Sequence, residues 1–187
     1  MTYGEAVESA LRTLQMGTTS YAHEQYDDIL LQYANAAVLE LSKDSRPVAE
    51  ETVAVADGSF LFSDLQYAIH ALIEVRDANN KILHTKADGD RVTVCRQESG
   101  TVKVLYEYYP DYVGTDAMAE TAIPLPRQYH RLVPTFISAQ YLLSDASDKV
   151  GFNRGQSLMQ IFSAQRRNLH KPENGSTRSY KLRNRGW

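Results

Sequence analysis

Val102-Lys103-Val104-Leu105-Tyr106-Glu107-Tyr108 sets Val102, Val104, Tyr106 and Tyr108 at every second position. A period of two is that of a β-strand with one covered face. The same signal recurs upstream. Val92 and Val94 alternate before Glu98-Ser99-Gly100, and Ile82 opens a short strand that closes at Asp88-Gly89-Asp90. Ile69, Ala71, Ile73 and Val75 alternate before Asp77-Ala78-Asn79-Asn80, and Val53 and Val55 alternate before Asp57-Gly58. Turn signals spaced roughly ten residues apart predict an antiparallel meander or small sandwich over Val48–Tyr109. Phe60 to Gln66 reads equally well as strand or loop.

Outside this block the period becomes helical. Thr2 with Glu5 is a capping-box pattern, and Tyr3, Val7, Ala10, Leu11 and Leu14 follow at helical spacing. Gly17-Thr18-Thr19-Ser20 breaks that helix. A second helix carries Tyr26, Ile29, Leu30, Tyr33, Ala37 and Leu41 on one stripe, and Ser42 to Pro47 ends it. Glu24, Asp27 and Asp28 complement the positive end of its dipole. Downstream, Pro110 to Pro126 is a connector, because Pro124 and Pro126 block a central strand. Pro126 suits a helix start, and Tyr129, Leu132, Val133, Phe136, Ile137 and Tyr141 form the next stripe. Pro134 lies inside it, which predicts a kink near His130. After the polar break Ser144–Asp148, Phe152, Gly155, Leu158, Met159 and Phe162 mark a last helix ending near Leu169. The expected fold is α+β: a bundle of about four helices with an inserted antiparallel β element and an extended C-terminal tail. The divisions are 1–47 and 124–168 for the helical body, 48–123 for the β insertion and connector, and 169–187 for the tail.

With 187 residues, 43% of them apolar, the chain can build one domain or two small ones. No apolar run approaches the roughly 18 residues of a membrane span, and the first residues lack a signal-peptide pattern. Cys95 is the lone cysteine, expected as a small core or strand residue of a chain made in a reducing compartment. Catalytic signals are thin. Asp27 and Asp28 fit a helix start, and Asp88 and Asp90 fit a turn. His23, His70, His84, His130 and His170 lack metal-ligand spacing, and His70, between Ile69 and Ala71, falls on the solvent face of its strand. Gly151 to Gly155 lacks the Lys-Ser/Thr ending of a phosphate loop, and no nucleophile elbow is present. The expectation is a protein without catalytic activity, metal or cofactor.

Charge is divided unevenly. Arg166 to Trp187 holds seven cations and one anion, a net +6 against −3 for the whole chain, which leaves −9 on residues 1–165. An acidic body with a basic end predicts that the end binds something other than its own body. Arg178, Lys181, Arg183 and Arg185 interleave with Tyr180, Leu182 and the sole tryptophan, Trp187. Cations alone fit nucleic acid; aromatic and leucine side chains among them also fit a protein groove. A merely solubilising end is the bland alternative. Twelve tyrosines against five phenylalanines favour half-buried surfaces such as subunit contacts.

Three segments carry a resemblance: Tyr106-Glu-Tyr-Tyr-Pro-Asp-Tyr-Val-Gly-Thr-Asp-Ala117, Ile123-Pro-Leu-Pro-Arg-Gln-Tyr-His-Arg-Leu-Val-Pro134, and Ala139-Gln-Tyr-Leu-Leu-Ser-Asp145. Together they resemble the tailed-bacteriophage head–tail adaptor (connector) proteins, most sharply over about Leu105 to Asp145. The resemblance implies a ring, normally of twelve copies, stacked under the portal protein and receiving a tail, stopper or nozzle protein. It implies a virion neck location after assembly in the host cytoplasm, genomic DNA passing through the lumen without sequence-specific binding, and no catalysis, cofactor, metal or membrane. Leu169, Arg178, Tyr180, Lys181, Leu182, Arg183, Arg185 and Trp187 would then form the portal-docking arm, and Tyr106, Tyr108, Tyr109 and Tyr112 would serve subunit contacts. An acidic lumen would repel DNA and let it slide. The competing expectation is a nucleic-acid-binding accessory protein that grips phosphates with the basic tail. A small hydrolase with an unrecognised motif is the third.

Overall fold

The computed structural model describes residues 1–95 and 99–169. In chain order it holds α1 (Tyr3–Leu14), α2 (Ser20–Ser45), β1 (Val48–Val55), β2 (Ser59–Leu61), β3 (Ile69–Arg76), β4 (Ile82–Leu83), β5 (Thr85–Asp88), β6 (Arg91–Val94), β7 (Gly100–Tyr108), α3 (Arg127–His130), α4 (Leu132–Ser144) and α5 (Lys149–Leu169). The class is α+β, as the change of period predicts.

Local signals fix the helix ends. Thr2 Oγ1 accepts from the Glu5 amide at 3.2 Å, and Glu5 Oε2 accepts from the Thr2 amide at 2.9 Å, which closes the capping box of α1. Gln15 ends α1 in the left-handed conformation, φ 63°. Thr19 caps α2 through the Ala22 amide. The kink expected from Pro134 is a break at Arg131 between α3 and α4: proline offers no N–H and its ring clashes with the carbonyl four residues back. Asp148 starts α5 by accepting from the Val150 amide at 3.1 Å.

α4 is the central helix, touched by α1, α2 and α5. Val7, Leu11, Leu30, Leu31, Leu41, Leu132 and Ile137 form the buried centre of the body. The core of α2 is rotated from the expected stripe: Leu31, Ala34 and Val38 are buried, whereas Ile29 is exposed and Tyr26 and Tyr33 are half-buried. The connector also belongs here. Val113, Ile123 and Leu125 join the helical core, the Tyr3 amide donates to the Thr121 carbonyl at 3.1 Å, and the Gly4 amide donates to the Met118 carbonyl at 2.8 Å. Grouping 110–123 with the β insertion is therefore corrected: a strandless segment buries its apolar side chains on the nearest available core, which is helical.

The strands form two antiparallel sheets, β1-β7-β3-β4 and β2-β6-β5. A meander would follow chain order; here β1 pairs with the last strand, in unbroken register from Val48 opposite Glu107 to Val55 opposite Gly100. The departure begins at the Asp57-Gly58 turn. Both residues have positive φ, 49° and 69°, the geometry of a tight hairpin turn, and the chain leaves it for the other sheet. One predicted strand after Ile82 is two, β4 and β5, which belong to different sheets. Phe60 to Gln66 splits into the end of β2 and a 3₁₀ turn, Phe62–Asp64. Val53, Val55, Phe60, Val75, Val92, Val94, Val102, Val104 and Tyr106 from both sheets make one core.

Strand β3 departs from its predicted alternation. Register shifts lie between Ile69 and Ala71 and between Leu72 and Glu74, so Ile69, Leu72 and Val75 turn to the core while Ile73 is exposed. Each bulge inserts one residue and flips the faces that follow. His70 is exposed, as expected. Cys95 is a correction: it is exposed just past β6, its amide bonded to the His84 carbonyl.

Tyr3 is 1% exposed. Burial, then Tyr108 and Asp111, push its phenol up to about 12 from the usual 10. The neutral phenol is therefore the form the fold favours. Stability from this group is complete below pH 10 and is lost as pH rises through about 12. Tyr3→Phe should cost little at pH 7 and remove roughly 1.4 kcal/mol of the decline between pH 8 and pH 11, read by urea titrations at those two values.

Candidate interaction surface

Helix α2 has a second, outward stripe: Ile29, Gln32, Ala36 and Leu39, at spacings of three and four. All four are exposed, and Leu39 is 44% exposed. Beside them the connector places Pro110 and Tyr112, the latter 68% exposed. Gln32, Asn35, Ala36, Leu39, Pro110 and Tyr112 line a shallow groove of about 260 Å³. The groove is rigidly built. Asn35 Oδ1 accepts from the Val113 amide at 3.0 Å while its Nδ2 donates to the Val113 carbonyl at 3.0 Å and to the Leu31 carbonyl at 3.1 Å. One side chain thus holds the connector to the helix and fixes Tyr112 next to Leu39.

The four tyrosines singled out in the sequence separate. Tyr112 lies on this surface. Tyr109 is exposed, with its ring centroid 5.0 Å from that of His70. Tyr108 is half-buried and stacked on Tyr67 at 4.4 Å. Tyr106 is fully buried; its hydroxyl donates to Glu51 and accepts from the Tyr67 amide at 3.4 Å. Burial, then the bond to Glu51, raises its pKa. A neighbour could reach Tyr106 only by opening the β core, so it has no face to offer.

A second opening lies on α5. Leu143, Gln156, Met159, Gln160, Ser163 and Arg167 line a groove of about 540 Å³. Val150, 81% exposed, and Ile161 lie on one face of the helix. The two helices differ in charge. α5 carries Lys149, Arg154, Arg166 and Arg167 and no acid; α2 carries Glu24, Asp27, Asp28, Glu40 and Asp44 against Lys43. Part of this contrast is used internally. Arg166 bonds Glu40 at 2.7 Å and also Asp44, and His23 lies 3.0 Å from Asp27. Arg166 lies in α5, within the helical body as the division at 168 expects; Leu169, expected in the docking arm, is corrected: it ends α5 and packs against the helical core. Arg178, Tyr180, Lys181, Leu182, Arg183, Arg185 and Trp187 lie outside the described residues.

Among the described residues no three His, Cys, Asp or Glu side chains converge as a metal site, and no helix is long and apolar enough to cross a membrane. Neither a protein-family model nor a curated protein matches the chain. The outward stripe of α2 had a readable signal: Ile29-Leu30-Leu31 places three large apolar residues in a row, more than one helix face can bury.

Proposed function

We propose that this protein is a structural subunit of a tailed-bacteriophage neck, a head–tail adaptor whose copies form a ring under the portal protein. The exposed Leu39–Tyr112 surface carries the reading. A rigid apolar strip edged by Asp28 and Asp111 is the kind of surface that a protein partner covers. Helix α5, which carries cations and no acid, is its counterpart in charge. Two different complementary faces on one molecule make a head-to-tail contact, which closes into a ring when the rotation fits. The resemblance over Leu105–Asp145 supplies the setting: portal above, tail or stopper protein below, DNA passing through the lumen. The basic end, with Trp187, is the arm that grips the portal, and many weak arms in one ring act together.

The test mixes the purified chain with portal rings and counts bound copies by native mass spectrometry. The expected result is a closed ring on the portal and a blue shift of Trp187 emission. Leu39→Asp with Tyr112→Ser should leave the fold intact and weaken ring closure by at least about a hundredfold, since each lost core contact is worth about 1–2 kcal/mol or more. A variant that still closes complete rings rejects the surface; a chain lacking Ser176–Trp187 that still attaches rejects the arm. Binding to DNA that falls steeply with salt, without portal binding, would favour the nucleic-acid reading instead.

A further inference from the structure

Where the β element meets the helical body, a cavity of about 230 Å³ is lined by Tyr3, Gln66, Tyr67, Tyr108, Asp111 and Thr121, among others. Its composition is one-sided. It offers three phenols and a carboxylate, and among the described residues no Lys, Arg or His lines it. Tyr67 and Tyr108 are stacked with ring centroids 4.4 Å apart and planes 23° from parallel. Tyr3 is almost fully buried and lines the cavity. Near neutral pH the phenols are uncharged and Asp111 is the anion that lines the cavity; after burial, it contributes to raising the pKa of both Tyr3 and Tyr108.

We propose that this cavity is a binding site for a guanidinium group, the side chain of an arginine carried by a peptide segment. Aromatic faces attract a cation through their quadrupole, and a planar one can lie flat against a tyrosine ring. The five N–H donors of a guanidinium match the acceptors present: the Tyr3 and Tyr108 hydroxyls and the Asp111 carboxylate. An anion would meet a carboxylate and phenol oxygens with no cation to hold it. An ammonium would satisfy Asp111 but would not stack. Two sources can supply the arginine. This chain's own end carries Arg178, Arg183 and Arg185; the other source is a different protein.

The site is tested on the full chain, independently of any portal. Methylguanidinium chloride is titrated at constant ionic strength while tyrosine difference absorbance is followed, with methylammonium chloride as the second probe. The expected result is a saturable change that favours methylguanidinium severalfold. Asp111→Asn, a surface change that should fold, is expected to weaken it about tenfold through the lost charge-assisted bond. Tyr67→Leu is expected to weaken it about threefold through the lost ring face. A response linear in concentration, equal for both cations, or unchanged in Asp111→Asn overturns the proposal. A peptide of sequence Ser176 to Trp187 that competes at lower concentration assigns the arginine to this chain. Saturation by methylguanidinium without peptide competition assigns it to another protein.

Discussion

Gly155→Val is expected to lower unfolding free energy by about 2–3 kcal/mol, because it overpacks the seam between α4 and α5. A Cβ at Gly155 would lie 3.0 Å from Leu142 Cβ, 3.0 Å from Leu143 Cγ and 3.1 Å from the Ala139 carbonyl oxygen. Those atoms belong to α4, which is held on its other sides by α1 and α2, so it has little room to retreat. Gly151, one turn earlier, is also buried and its Cβ would meet Leu142 at 3.6 Å. That is ordinary contact, and the close neighbour of Gly151 is the Asp148 carboxylate of its own helix start, so the tight approach of α5 to α4 is at Gly155. Gly155→Ala separates the effects. Alanine gains about 1 kcal/mol of helix propensity, which offsets much of a contact only a few tenths of an ångström too tight. The alanine variant should fall near wild type in urea titration and the valine variant well below. A valine variant within about 0.5 kcal/mol of wild type, inside the range of an inert surface change, would mean that α5 moves away freely.

Much of the fold could be read in the chain because its signals are local. The capping box at Thr2 and Glu5, the break at Gly17-Thr18-Thr19-Ser20 and the kink from Pro134 depend on residues within one turn of each other; the first and last stand as read, and the break is one residue shorter because Ser20 already opens α2. What could not be read depends on long-range choices. The Asp57-Gly58 turn announces a reversal but does not say which sheet receives the next strand. The alternation of Ile69 to Val75 gives no warning of two bulges, since these answer the partner strand β7 and not the composition of β3. The stripe of α2 was misplaced by about one residue for a similar reason. Ile29, Leu30 and Leu31 give three apolar choices, and packing against α4 selects the last two. Among the tyrosines, alternation put Tyr106 and Tyr108 on the inner face of β7, whereas composition suggested a contact surface; the period was the better guide for Tyr106. Tyr112 stood out only as an aromatic in a proline-bounded connector, and its partnership with Leu39 needed Asn35 to join segments 78 residues apart. The charge count had the opposite weakness. It drew Arg166 into the basic tail because a sum along the chain cannot see an ion pair made across 122 residues.

That ion pair is the basis of the second large effect. Arg166→Met is expected to cost about 2 kcal/mol near neutral pH, below the figure for a fully buried pair because the arginine side chain is 25% exposed. In the native protein Arg166 Nη1 donates to Glu40 at 2.7 Å and Nε donates to Asp44. The bond to Asp44, then that to Glu40, raises the guanidinium pKa above its already high value despite the opposing effect of burial. Lys43 first and Arg166 second hold the Glu40 carboxyl below its ordinary range. A carboxyl depressed in the fold stabilises above its unfolded pKa and loses that contribution as pH falls through the folded value. The gap between wild type and Arg166→Met should therefore be full at pH 7 and shrink below about pH 4, where carboxylates protonate. Adding Glu40→Gln should recover part of the loss, because it removes a carboxylate left beside Asp44. A gap that stays constant from pH 7 to pH 3 would show that lost packing of the arginine stem, not charge, sets the cost. Under the proposed neck role the pair would also bear on assembly. It pins the last turn of α5 to α2, so the chain enters its basic end from a fixed point at Leu169. Loosening that point should reduce portal attachment of the arm at neutral pH even where the arm's own residues are unchanged.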